Sequence, residues 1–126
     1  MNIILSIVGY DIWFYISHLI LHTQYFYKYH KEHHKNVINL TFMDTYVSHW
    51  IEGPFQGIGM FFPYLFTNMT FFEIIISIIL LNIRGMMRHD HRCSWIIGNH
   101  HLLHHELQNC NYGEYWLDYL FRTLKN

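Results

Sequence analysis

The sequence predicts an all-α integral membrane protein whose helices carry a histidine-rich cap on one side. Three observations lead there. Charged residues make up 13% of the 126 residues, against 52% hydrophobic and 19% aromatic, a balance short of charge for a soluble domain. Apolar residues gather in two long regions, 3–21 and 43–88. Histidine, with 12 copies, outnumbers both the 8 Lys and Arg and the 9 Asp and Glu, and it collects in the polar stretches beside the apolar ones. The length suits one domain over residues 1–126. A net charge of −1 gives no basic footprint for a nucleic-acid partner. The mean hydropathy of +0.05 reflects dilution of the apolar regions by the histidine-rich ones.

Residues 3–21 predict a membrane helix, because nineteen residues rising about 1.5 Å each span about one hydrocarbon core. Asp11 and His18 interrupt it seven residues apart, a spacing that puts both on one face. Ionisable groups in such a helix turn toward protein rather than lipid. Residues 22–42 are polar and basic, with Lys28, Lys31 and Lys35. Residues 43–88 predict a helical hairpin, spanning or re-entrant, with a turn at Pro63 to Asn68. Arg84, Arg88 and Arg92 follow, and then a second histidine-rich stretch. The cap is therefore built from 22–42 and 89–126. The stretch Tyr112 to Leu124 predicts an amphipathic helix at the membrane interface. Basic residues flank both cap segments, so the positive-inside rule places both on the cytosolic side. Met1 to Tyr10 lacks the features of a cleavable signal. The sequons at Asn39 and Asn68 carry no assignment. Cys93 and Cys110 fit neither a zinc ribbon nor a redox pair.

Three histidine clusters carry the chemistry. They are His18-Leu19-Ile20-Leu21-His22, His30-Lys31-Glu32-His33-His34 and His101-Leu102-Leu103-His104-His105. On a helix, residues three and four apart share a face, so each cluster is expected to aim its imidazoles at one point. Hydrogen-bonded core histidines explain one such residue, not three clusters on one side of a membrane. Eight clustered imidazoles exceed the four ligands of a structural zinc site. Two metals are the natural count, and imidazole alone does not choose among iron, copper, nickel and zinc.

The order HxxxH, HxxHH and a later HxxHH resembles the fatty acid hydroxylase superfamily, which includes sterol desaturases and C-4 methyl sterol oxidases. His49-Trp50-Ile51-Glu52 looks like that family's His-Pro-x-Glu stretch. The segment from Asn82 to His91 is similar to the one supplying a further ligand. Asn111-Tyr112-Gly113 with Leu117-Asp118-Tyr119-Leu120-Phe121-Arg122-Thr123 looks like its NYG…WDxLFGT ending, with Leu117 in place of the Trp and Arg122 in place of the Gly.

The resemblance implies a membrane-bound non-haem di-iron enzyme that uses O2 to hydroxylate or desaturate a lipid C–H bond, fatty acyl or sterol-like. Two iron ions, with zinc able to substitute, would be held by His18, His22, His30, His33, His34, His89, His91, His101, His104 and His105. The expected division gives His18, His30, His33, His101 and His104 to one metal. The other takes His22, His34, His89 and His105, with His91 as a fifth. No catalytic residue beyond these ligands is assigned. Asp11, Glu32, Asp90 and Glu106 are candidates to accept from ligand N–H groups, and His49 and Glu52 to line the site or pair. Six phenylalanines (Phe55, Phe61, Phe62, Phe66, Phe71 and Phe72) are candidates to line a lipid channel. The implied partners are the lipid, O2, the membrane, an external electron donor such as cytochrome b5 or a reductase, and a possible second copy of the chain. The implied location is a multi-pass membrane protein, of the endoplasmic reticulum in a eukaryote. The alternatives are a catalytically silent metal-binding relative and, less well matched, a metal transporter or haem-binding membrane protein.

Overall fold

The computed structural model describes residues 2–126, and among these all regular structure is helical. Helix α1 (Asn2–Leu21) is uninterrupted, as expected from twenty residues free of proline. It is the one described helix long and apolar enough to cross a membrane. Its buried face mixes Phe14, Tyr15 and Leu21 with polar residues, and much of its apolar surface is outward. Ser6, Asp11, Ser17 and His18 are buried, while Ile4, Leu5, Val8, Ile12 and Ile16 are exposed.

The region after α1 departs from the predicted hairpin. Its first arm is broken into a 3₁₀ turn at Phe42–Tyr46, the short α2 (Glu52–Gly57) and a 3₁₀ stretch at Ile58–Leu65. Gly53, Pro54, Gly57, Gly59 and Pro63 explain the break, since glycine and proline both disfavour a long helix interior. The second arm is continuous: α3 (Phe71–His89) starts on a capping box between Thr70 and Glu73, which satisfies two of the orphan N–H groups at its start. It too is apolar outward, with Phe71, Phe72, Ile75, Ile79, Leu80 and Ile83 exposed and Ser77, Arg88 and His89 buried.

The cap is made of short pieces: α4 (Ser94–Ile97), α5 (His100–Leu107) and α6 (Tyr115–Leu120). The expected interfacial helix is thus only six residues long. It buries Leu117 and Asp118 and exposes Tyr115, Trp116, Tyr119 and Leu120.

Two glycines set the crossing of α1 with the 58–65 stretch. A Cβ on Gly59 would lie 2.4 Å from the Cβ of Trp13 and 2.8 Å from Gly9 O. Trp13 locks the crossing, donating from Nε1 to Phe55 O at 2.6 Å and packing edge-on against Phe55 and Phe62. Close approach through small residues is how helices associate where lipid removes the hydrophobic drive between them. Deeper in, Asp11 pairs with Arg84, and Glu114 with both Arg84 and Arg88. Two of the three arginines counted as flanking charges are therefore neutralised inside the protein.

Gly59→Ala should cost about 2 kcal/mol or more through overpacking, read as a lowered melting temperature in detergent. At Gly57 a Cβ meets nothing within 4 Å, so Gly57→Ala should be neutral or slightly stabilising.

Candidate metal centre

The structure gathers nine histidines into two groups with mutually facing ring nitrogens. The first holds His18, His22, His30, His34 and His104, and the second His33, His89, His101 and His105; within each, the ligand atoms lie within 4.8 Å of one another. His18 and His22 come from the end of α1 and the residue after it, His89 from the end of α3, and the last three from α5. The His30–His34 motif lies not on an α-helix but on consecutive turns, with His33 N donating to His30 O at 2.9 Å.

The expected division between the metals is corrected by this geometry. Each HxxHH motif splits. His30 and His34 enter the first group and His33 the second, whereas His101 and His105 enter the second and His104 the first. In both motifs the i and i+4 imidazoles stay together and the i+3 imidazole crosses over. The groups are therefore stitched to each other, with the His34 and His105 ring centres 4.8 Å apart. His91 belongs to neither group. It is exposed, and its Nδ1 hydrogen-bonds Leu40 O at 2.8 Å.

Backbone carbonyls set the tautomers. His18 Nδ1 meets Tyr112 O, His104 Nδ1 meets Cys110 O at 2.7 Å, His33 Nδ1 meets Val47 O at 3.1 Å and His89 Nδ1 meets Gly85 O at 2.8 Å. A carbonyl only accepts, so each Nδ1 carries the proton and each Nε2 presents a bare lone pair. Yet His33 Nε2 and His89 Nε2 are 3.0 Å apart, as are His89 Nε2 and His101 Nε2. In the first group, Nε2 pairs lie at 2.9 Å (His18–His30), 3.0 Å (His30–His34), 3.1 Å (His22–His104) and 3.2 Å (His34–His104).

Where both rings are fixed in this way, as at His33 and His89, lone pair faces lone pair and repels unless a cation sits between them; in the other pairs at most one ring has a carbonyl on its Nδ1. Two imidazole nitrogens each about 2.1 Å from one ion and at right angles are about 3.0 Å apart, which is the spacing seen. Protonation does not supply the cation. Burial holds His22 down at about 4 and His34 at about 3, and pushes His33, His101, His104 and His105 below the usual histidine range. The rings are neutral at pH 7 and available as ligands. His105 leaves both ring nitrogens buried without a hydrogen-bond partner. Donor set and geometry therefore fit metal.

Of the side chains expected to support the ligands, Glu52 alone lies against a ligand ring. It is 2% exposed, and its Oε1 is 2.9 Å from His30 Nδ1. The others are engaged elsewhere. Asp11 pairs with Arg84, Glu32 with Lys35 and Asp90 with Arg92, while Glu106 is exposed and His49 stacks on Trp50. Residues that sequence reasoning passed over include Thr45, whose Oγ1 is 3.2 Å from His89 Nδ1, and the four carbonyls, which no side-chain motif can announce.

A cavity of about 320 Å³ reaches both groups, touching His18 of the first and His33 and His89 of the second. It runs between α1, α2 and α3, past Phe14, Met60, Ile78 and Leu81. The six expected channel phenylalanines do not line it.

The family model described as Fatty acid hydroxylase matches residues 3–123. No curated protein and no solved structure matches the chain.

In full-length protein stripped of metal and titrated with cobalt(II), His89→Ala should abolish binding at one centre and leave the other. His91→Ala should bind as the unaltered chain does.

Proposed function

Because the chain belongs to the fatty acid hydroxylase family, we propose that it is a membrane-bound non-haem di-iron oxygenase that hydroxylates or desaturates a lipid C–H bond with O2. The observation that carries this reading is the pair of buried, all-imidazole groups at the end of a largely apolar cavity. Iron, when bound there, supplies O2 activation for attack on an unactivated C–H bond.

In this reading the first group holds one iron with five imidazoles and the second holds the other with four. His18, His104, His33 and His89 keep the proton on Nδ1 and donate it to the Tyr112, Cys110, Val47 and Gly85 carbonyls, which fix ring orientation and keep each Nε2 free. Glu52 lies 2.9 Å from His30 Nδ1. The cavity walls exclude water and guide one apolar chain to the side where His18, His33 and His89 converge. Gly53, Gly57 and Gly85 line it and leave room for a substrate.

In the same reading α1 crosses the bilayer and α3 lies beside it, with their histidine-bearing ends on the cytosolic side. The apolar outward faces of both helices support that placement. Electrons come from an external donor such as cytochrome b5 or a reductase.

The reading is tested with iron-loaded protein in lipid nanodiscs, given O2, a reductant and acyl or sterol lipids, with products followed by mass spectrometry. Oxygenated or desaturated lipid is expected. Gly57→Leu should lower turnover at least tenfold while leaving metal content unchanged, because the side chain fills the cavity and not the ligand sphere. Full metal loading without any product would favour the catalytically silent relative.

A further inference from the structure

One buried carboxylate, absent from the ligand set, is joined to a ligand by a single peptide unit. Asp118 on α6 is fully buried. Its Oδ1 accepts from Tyr112 N at 2.8 Å and from Thr123 Oγ1 at 2.6 Å. Its Oδ2 accepts from Gly113 N at 2.9 Å and lies 2.9 Å from His100 Nε2. Gly113 N–H and Tyr112 C=O belong to the same peptide, and the Tyr112 oxygen is the acceptor for His18 Nδ1. The atoms therefore run in one line: carboxylate, peptide N–H, peptide C=O, imidazole N–H, imidazole Nε2.

The surrounding segment is built to hold that peptide still. Asn111 is fully buried with a φ of 56°. Its side chain donates to His100 O at 3.1 Å and Lys125 O at 2.9 Å, and accepts from Lys125 N at 2.7 Å. Gly113 sits against α1 so closely that a Cβ would lie 2.9 Å from Tyr15 Cδ2. Tyr15 Oη in turn lies 3.0 Å from Thr123 Oγ1. Burial would raise the Asp118 carboxyl, but hydrogen bonds from His100, Thr123, Gly113 and Tyr112 outweigh it and hold the carboxyl below its usual range. A charged acceptor on the N–H side of a peptide polarises its carbonyl, and hydrogen bonds in such a chain strengthen one another.

We propose that Asp118 is a positioning residue for the first metal, acting on His18 through the Tyr112–Gly113 peptide as a carboxylate does when it contacts a ligand histidine directly. The carboxylate makes Tyr112 O a stronger acceptor, which makes His18 Nε2 a more electron-rich ligand and fixes its ring. Loss of a partner that supports a ligand lowers metal affinity by about 10- to 100-fold.

The inference rests on the metal-centre reading. The test separates the two groups and uses cobalt(II) alone as probe, on full-length, metal-stripped protein in detergent. With His105→Ala in the background, only the His18 group is complete. Adding Asp118→Asn should weaken cobalt binding there about 10- to 100-fold and shift its visible spectrum. With His104→Ala instead, only the His33 group is complete, and Asp118→Asn should change affinity less than about threefold. Equal losses in both backgrounds, or no loss in either, overturn the relay. Where Asp118→Asn does not fold, Asp118→Glu keeps the charge but displaces it from the Gly113 N–H. A loss of several-fold confined to the His18 group supports the relay, and any other pattern overturns it. Failure of the unaltered chain to bind cobalt would overturn the metal-centre reading itself.

Discussion

Nine imidazoles gathered into two groups, with His33 and His89 turning bare Nε2 lone pairs on each other, are the constraint that organises this protein. That facing pair is repulsive between neutral rings and becomes favourable around a cation. The chain must therefore hold the rings in place by means other than their own attraction. It does so from the far side of each ring. Four backbone carbonyls from three segments accept hydrogen bonds from Nδ1 of His18, His33, His89 and His104, and the Glu52 carboxyl, pushed up to about 8 by burial, lies against His30. Two of these carbonyls, Cys110 and Tyr112, come from the irregular cap segment before α6, whereas Gly85 O belongs to α3 itself.

The rest of the molecule follows from placing that polar centre beside apolar helices. Helices α1 and α3 turn Asp11, Ser17, His18, Arg88 and His89 inward and Ile4, Ile12, Ile16, Ile75, Ile79 and Ile83 outward. Arginines 84 and 88 are balanced by Asp11 and Glu114, so the buried network below the imidazoles carries no uncompensated charge. The Gly9–Gly59 crossing brings the broken 52–65 segment close enough to α1 for the cavity to end on both groups of rings. Gly53 and Gly57, which help to break the first arm, also line the cavity.

The sequence made the clustering histidines legible because metal chemistry needs a particular side chain at a particular spacing. Every histidine of the three motifs enters a group, and His89 was within reach of the Asn82–His91 segment. The division between the groups was not legible. Spacing says that residues three and four apart share a face, but two centres lying side by side can divide that face, and the i+3 ring crosses over. His91 looked like a ligand by its neighbours, but it is exposed and lies outside both groups. Acidic residues near the motifs were expected to support the rings, yet most of that work falls to main-chain oxygens, which every residue possesses and no motif marks. Asp118 was visible as part of the NYG…D pattern, but its role depends on a peptide bond five residues away.

The most direct measurement is the metal content of the purified full-length chain, by elemental analysis beside quantitative amino-acid analysis. Two metal ions per chain, iron in protein made with iron supplied, is the result this account predicts. A chain that purifies folded with no metal, and takes none up when iron(II) or cobalt(II) is offered, would contradict it, because the facing lone pairs would then need another explanation.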